Sequence, residues 1–146
     1  IVPADLGFLD QSGLTRTILA EPVGPRPTLH EARDRFERGF LAAVDRVRVL
    51  GDRPRRLPNT SLFTVEGVKA EAIVVELDAN GVAIATGAAC SSNRDKPSHV
   101  LRAMGLLPED VQGTIRVSVG AETGAGEIDR AVALLAASVR RLRALS

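Results

Sequence analysis

The chain has 146 residues and a mass of 15.5 kDa, room for one domain with a buried core and too little for two full-sized ones. Its 45% hydrophobic and 25% charged residues exclude a wholly disordered chain, and 19 basic against 18 acidic residues leave a net charge of +1, too balanced to point to nucleic acid or an anionic membrane as partner. A single cysteine excludes an internal disulfide and a multi-cysteine zinc site, and 3% aromatic residues, with neither Trp nor Tyr, cannot build a stacking platform for bases or sugars.

Residues 1–27 carry Pro3, Pro22, Pro25 and Pro27 with Gly7, Gly13 and Gly24, and are expected to form an irregular N-terminal arm. The chain opens on Ile1 rather than Met, as a piece of a longer protein would. No stretch approaches the roughly twenty apolar residues needed to span a bilayer, and the start lacks a basic segment followed by an apolar one, so a cytoplasmic setting is expected.

Thr28 with Glu31 three residues on makes a capping box, and Leu29, Ala32, Phe36, Phe40, Ala43 and Val44 recur at helical spacing, predicting a helix over 29–44. Val47, Val49 and Leu50 predict a short strand, residues 51–58 a solvated polar turn with three arginines, and Ser61 to Val65 a second strand. Between Val68 and Ala79 the β-branched run of Ile73, Val74 and Val75 competes with helical spacing of Val68, Ala72, Val75 and Ala79. The length and the Asn80-Gly81 stop favour a buried helix with those four residues inward. Val82 to Ala85 predict a short buried strand leading into the small residues from Gly87 to Ser92, a close-packed or flexible turn. Ser98 caps a short helix that Gly105 ends, and Thr114 to Val119 alternate with Ile115, Val117 and Val119 on one face and Arg116 and Ser118 on the other. A last helix over 127–145 places Ile128, Ala131, Leu135, Val139 and Leu142 on one stripe and arginines in its final turn. The expected fold is a two-layer α/β (α+β) domain: a small mixed or antiparallel sheet with helices packed on one face.

Two residues carry chemistry. Cys90 precedes a polar stretch with the cations Arg94 and Lys96, where a thiol gains thiolate character and access; against this, free cysteines commonly pack as small buried hydrophobes. Arg116, alone among apolar strand neighbours, presents a planar fork suited to a carboxylate, although a solvated strand face is the plainer reading of its spacing. His30 and His99 read as surface or capping residues, and no metal-ligand spacing or phosphate-cradling glycine motif is present.

From about Thr28 onward the chain resembles the C-terminal small domain of the cysteine desulfurases, a pyridoxal-phosphate family of the class V aminotransferase type. Four segments carry the likeness: residues 56–60 (Arg-Leu-Pro-Asn-Thr), 87–92 (Gly-Ala-Ala-Cys-Ser-Ser), 97–105 (Pro-Ser-His-Val-Leu-Arg-Ala-Met-Gly) and 113–120 (Gly-Thr-Ile-Arg-Val-Ser-Val-Gly). The resemblance implies a division into an arm over 1–27 and a desulfurase-like domain over 28–146. It implies that Cys90 takes sulfur from L-cysteine held on pyridoxal phosphate, becoming a persulfide and releasing alanine, and that Arg116 binds the substrate carboxylate. Lys96 lies beside Cys90 and does not match the family's Schiff-base lysine, whose large domain precedes the matching region. No pyridoxal phosphate is therefore expected on this chain alone, which should be inactive by itself. The implied partners are the missing large domain, a second copy of the chain, and a sulfur-acceptor protein such as an iron–sulfur scaffold, with neither nucleic acid nor membrane. The segment from Ala121 to Gly126 departs from the family's usual Arg-Phe-Thr and acidic run. That departure keeps two alternatives open: a non-catalytic module binding a partner in trans, and a persulfide carrier.

Overall fold

A computed structural model describes residues 27–87 and 98–145. In chain order these form α1 (Leu29–Ala43), β1 (Val47–Leu50), a 3-10 turn (Arg53–Arg55), β2 (Thr60–Val65), α2 (Ala70–Ala79), β3 (Ala85–Thr86), α3 (His99–Ala103), α4 (Pro108–Gln112), β4 (Thr114–Ser118) and α5 (Ala125–Ala144). The four strands make one antiparallel sheet in the order β1-β2-β4-β3, in agreement with the expected α+β layering.

The sheet has a helix-covered face and a partly open one, and strand alternation decides which residue goes where. Ser61, Phe63 and Val65 of β2 are buried, as are Ile115 and Val117 of β4, and they meet α1, α2 and α5 in a single apolar core. At its centre Phe36, Phe40 and Phe63 touch in tilted and edge-on pairs, with ring centroids 5.2 to 6.2 Å apart, so the described phenylalanines are spent on packing. The capping box of α1 forms as expected: the Thr28 hydroxyl accepts from the Glu31 amide, and the Glu31 carboxylate accepts from the Thr28 amide at 2.8 Å.

Three expectations are corrected. The inward face of α2 is Ala70, Ile73 and Leu77, while Val75 is 69% exposed. Ile73-Val74-Val75 supplies apolar residues around the whole helix, so spacing could not select the buried side. The strand expected over 82–85 is Ala85–Thr86, with buried Val82 outside it. The turn after β1 is not wholly solvated, because Arg56 reaches into the protein and pairs with buried Glu37 at 2.7 Å. Glu37 also accepts the Ser61 hydroxyl, which completes a buried charge with hydrogen bonds on both oxygens. The helix α4 had no counterpart in the sequence reading, being too short for a period, although Pro108 at its start is a usual first-turn residue.

Candidate functional site

The open face of the sheet is built from the alternate residues. Arg48 and Leu50 of β1, Thr60, Leu62 and Thr64 of β2, Ala85 of β3, and Thr114, Arg116 and Ser118 of β4 share it, by their pairing register. One end is closed by α4. The Asp110 backbone carbonyl accepts both the Thr64 hydroxyl at 3.0 Å and the Thr114 hydroxyl at 2.9 Å, and the Asp110 carboxylate pairs with Arg48 at 2.6 Å. At the other end Thr60 and Ser118 share a 3.0 Å hydroxyl contact, and the Asn59 side chain donates to the Val119 carbonyl.

Arg116 lies between these two ends. Its register partners are Leu62 on one side and Ala85 on the other, neither of them charged. The side chain is exposed and makes no hydrogen bond or ion pair among the described residues. The contrast with Arg48 on the same face is informative, since Arg48 is already occupied by Asp110. A guanidinium fork on a rigid strand, flanked by apolar and small side chains and lacking a protein carboxylate, is suited to a carboxylate brought from outside.

Cys90 falls in residues 88–97, outside the described residues, as do Lys96 and the expected N-terminal arm up to residue 26. What is described is the strand from which the cysteine segment leaves. β3 pairs with β4 through Ala85 and Thr86, and the Gly87 amide then donates to the Thr114 carbonyl at 2.7 Å. The chain therefore enters the cysteine segment from the strand beside Arg116. Sequence reading singled out Arg116 and Cys90 and gave no role of their own to Thr114 and Asp110, which hold this end of the sheet together. His30 and His99 are exposed, at the first turns of α1 and α3.

The described residues do not fit a pyridoxal-phosphate cradle. Lys69 is the only lysine among them; it precedes α2 and lines an open groove of about 480 Å³ with Val68, Ala72, Glu109 and Leu142. Arg116 does not line that groove. The phenylalanines at 36, 40 and 63 are at most 2% exposed, so no described phenylalanine ring is available to stack on a cofactor. Among the described residues no helix is long and apolar enough to cross a membrane.

Comparison with known proteins follows the same residues. A family model described as aminotransferase class-V matches residues 29–131. The chain is 44% identical over 134 residues to a cysteine desulfurase of Cereibacter sphaeroides, covering 92% of this chain and 35% of that protein. It is 40% identical over 114 residues to the cysteine desulfurase NifS of Azotobacter vinelandii, covering 78% and 28%. It thus spans about a third of the length of these curated relatives. Among solved structures, a NifS-like protein superposes with a TM-score of 0.65 at 20% identity, over 78% of this chain and 28% of the other. A valine-pyruvate aminotransferase from Salmonella typhimurium superposes with a TM-score of 0.59 at 14% identity, over 82% and 28%. These two likenesses concern the fold.

Proposed function

The chain belongs to the aminotransferase class-V family, and from that premise we propose that it is the part of a cysteine desulfurase that carries the persulfide-forming cysteine, Cys90, and the carboxylate-binding arginine, Arg116. The observation that carries the reading is the Arg116 fork at the centre of the open sheet face, unpaired among the described residues. It is supported by the likeness of the chain as a whole to cysteine desulfurases, 44% identical over 134 residues to one and 40% over 114 residues to another.

In this reading Arg116 holds the carboxylate of L-cysteine by two parallel hydrogen bonds, which fixes the substrate's orientation as well as its position. The Cys90 thiolate attacks the substrate sulfur. A sulfur–sulfur bond forms, the substrate carbon–sulfur bond breaks, and the electron pair left on carbon is capped by a proton. Cys90 thiol plus L-cysteine thus becomes Cys90 persulfide plus L-alanine, and the persulfide passes to an acceptor protein. Pyridoxal phosphate, the electron sink of the family, is held by the remainder of the protein. Residues 28–146 form the domain that supplies the two groups, and the chain alone releases no alanine.

The test uses the native gene product with L-cysteine, read by alanine release and by intact mass for one added sulfur. Cys90→Ser is expected to abolish the added sulfur. Alanine release by the isolated chain with pyridoxal phosphate, or a persulfide that survives Cys90→Ser, would overturn the proposal.

A further inference from the structure

Gly87 has no conformational reason to be glycine. It is not among the positive-φ residues, which are Arg46, Gly51, Gly67, Gly81 and Gly105. Its reason is a neighbour. A Cβ placed on Gly87 would lie 2.3 Å from Thr114 Cγ2 and 2.9 Å from Thr114 Cβ, closer than real carbon atoms approach. The obstacle is not the far end of a flexible chain. Thr114 is 1% exposed, and its hydroxyl donates to the Asp110 carbonyl at 2.9 Å, so turning the methyl away from Gly87 would take that hydroxyl off its acceptor. Asp110 is in turn held by Arg48 and by the Thr64 hydroxyl. The Gly87 amide completes the arrangement by donating to the Thr114 carbonyl at 2.7 Å.

We infer that the Gly87–Thr114 contact is a positioning device for sulfur transfer, pressing the start of the cysteine segment onto the strand that carries Arg116. The inference rests on the functional reading above. Thr114 stands two residues before Arg116 and Gly87 three residues before Cys90, so the chain segments bearing the two proposed groups meet at a spacing that only a missing Cβ permits. Widening that spacing by the width of a methyl group changes the reach from the arginine-held substrate to the attacking sulfur, while leaving Arg116 itself on its strand.

Gly87→Ala in the native gene product is expected to lower kcat for alanine release by about tenfold or more, with the KM for L-cysteine within about threefold of the parent. Amide hydrogen exchange over residues 85–88 should quicken, without cofactor or substrate, as the bond to the Thr114 carbonyl lengthens. Thr114→Ser removes the methyl that the added Cβ would meet at 2.3 Å and keeps the hydroxyl, leaving the Cβ contact at 2.9 Å, which a shift of a few tenths of an ångström relieves, so Gly87→Ala/Thr114→Ser should recover kcat to within about threefold of Thr114→Ser alone. Should Gly87→Ala fail to fold, this last comparison carries the test by itself. A folded Gly87→Ala with kcat unchanged, a loss confined to KM, or a double variant about tenfold or more below Thr114→Ser would each overturn the inference. Loss of the functional reading is separately visible, since it requires Cys90→Ser to keep its added sulfur.

Discussion

Arg116 and Arg56 show how differently one residue type behaves in two settings of the same fold. The Arg56 side chain is 10% exposed and tied to Glu37, and its Nε finds no protein partner. Replacing it with alanine leaves the Glu37 charge buried and uncompensated, and is expected to destabilise the fold by about 3–5 kcal/mol, measured by urea unfolding. Arg116 is exposed and unpaired, so Arg116→Lys should leave the unfolding midpoint unchanged. In the native gene product the same change should raise the KM for L-cysteine about tenfold or more, because an ammonium cannot reproduce the two-pronged contact. The local sequence reads one of these arginines and not the other. Arg56 sits in a polar, proline-containing turn and finds its partner 19 residues away, whereas the alternation of Ile115, Val117 and Val119 already places Arg116 on the opposite face.

At the scale of elements, legibility follows the strength of the local signal. The capping box and the apolar spacing of α1 locate it nearly to the residue, and the alternating pattern of β4 gives both its extent and its faces. For α2 the type is readable and the orientation is not, because its apolar residues encircle it. Ile73→Ala is therefore expected to cost about 2–5 kcal/mol in urea unfolding, while Val75→Ala costs less than about 0.5 kcal/mol. The pairing of α1 with α5 adds a pH dependence. The Arg35 guanidinium, hydrogen-bonded to Asp129 at 2.6 and 2.7 Å, holds the Asp129 carboxyl below its ordinary value. The folded pKa is the lower one, so this stabilisation is complete above the unfolded aspartate value of about 4 and disappears as pH falls through the folded value. Asp129→Asn should flatten that part of the acid limb of the stability curve, by a small amount because both side chains are about half exposed.

For the molecule as a whole, one apolar surface among the described residues stands open. Val100, Met104 and Leu107 are 54%, 41% and 59% exposed along one short stretch of α3 and the turn after it. Such a run is costly to leave in water, and the isolated chain is expected to sediment with concentration-dependent mass. Val100→Lys/Leu107→Lys should reduce that dependence; a chain that remains monomeric at high concentration would remove the expectation. The overall layering was readable because helix and strand periods alternate along the chain. The strand order was not, since β4 inserts between β2 and β3, a choice made by contacts far apart in sequence.

Arg143, in the last turn of α5, donates to the Glu66 carbonyl, to the Asp45 carboxylate and carbonyl and, more distantly, to the Arg46 carbonyl, at sequence separations of 77 to 98 residues. Arg46 is the single described non-glycine residue with positive φ, at 51°. The turns at both ends of the β1–β2 hairpin's open side thus acquire a shared staple only when the last helix has been synthesised. That staple is accordingly set by long-range contacts, unlike the strong local helix with which the described domain begins.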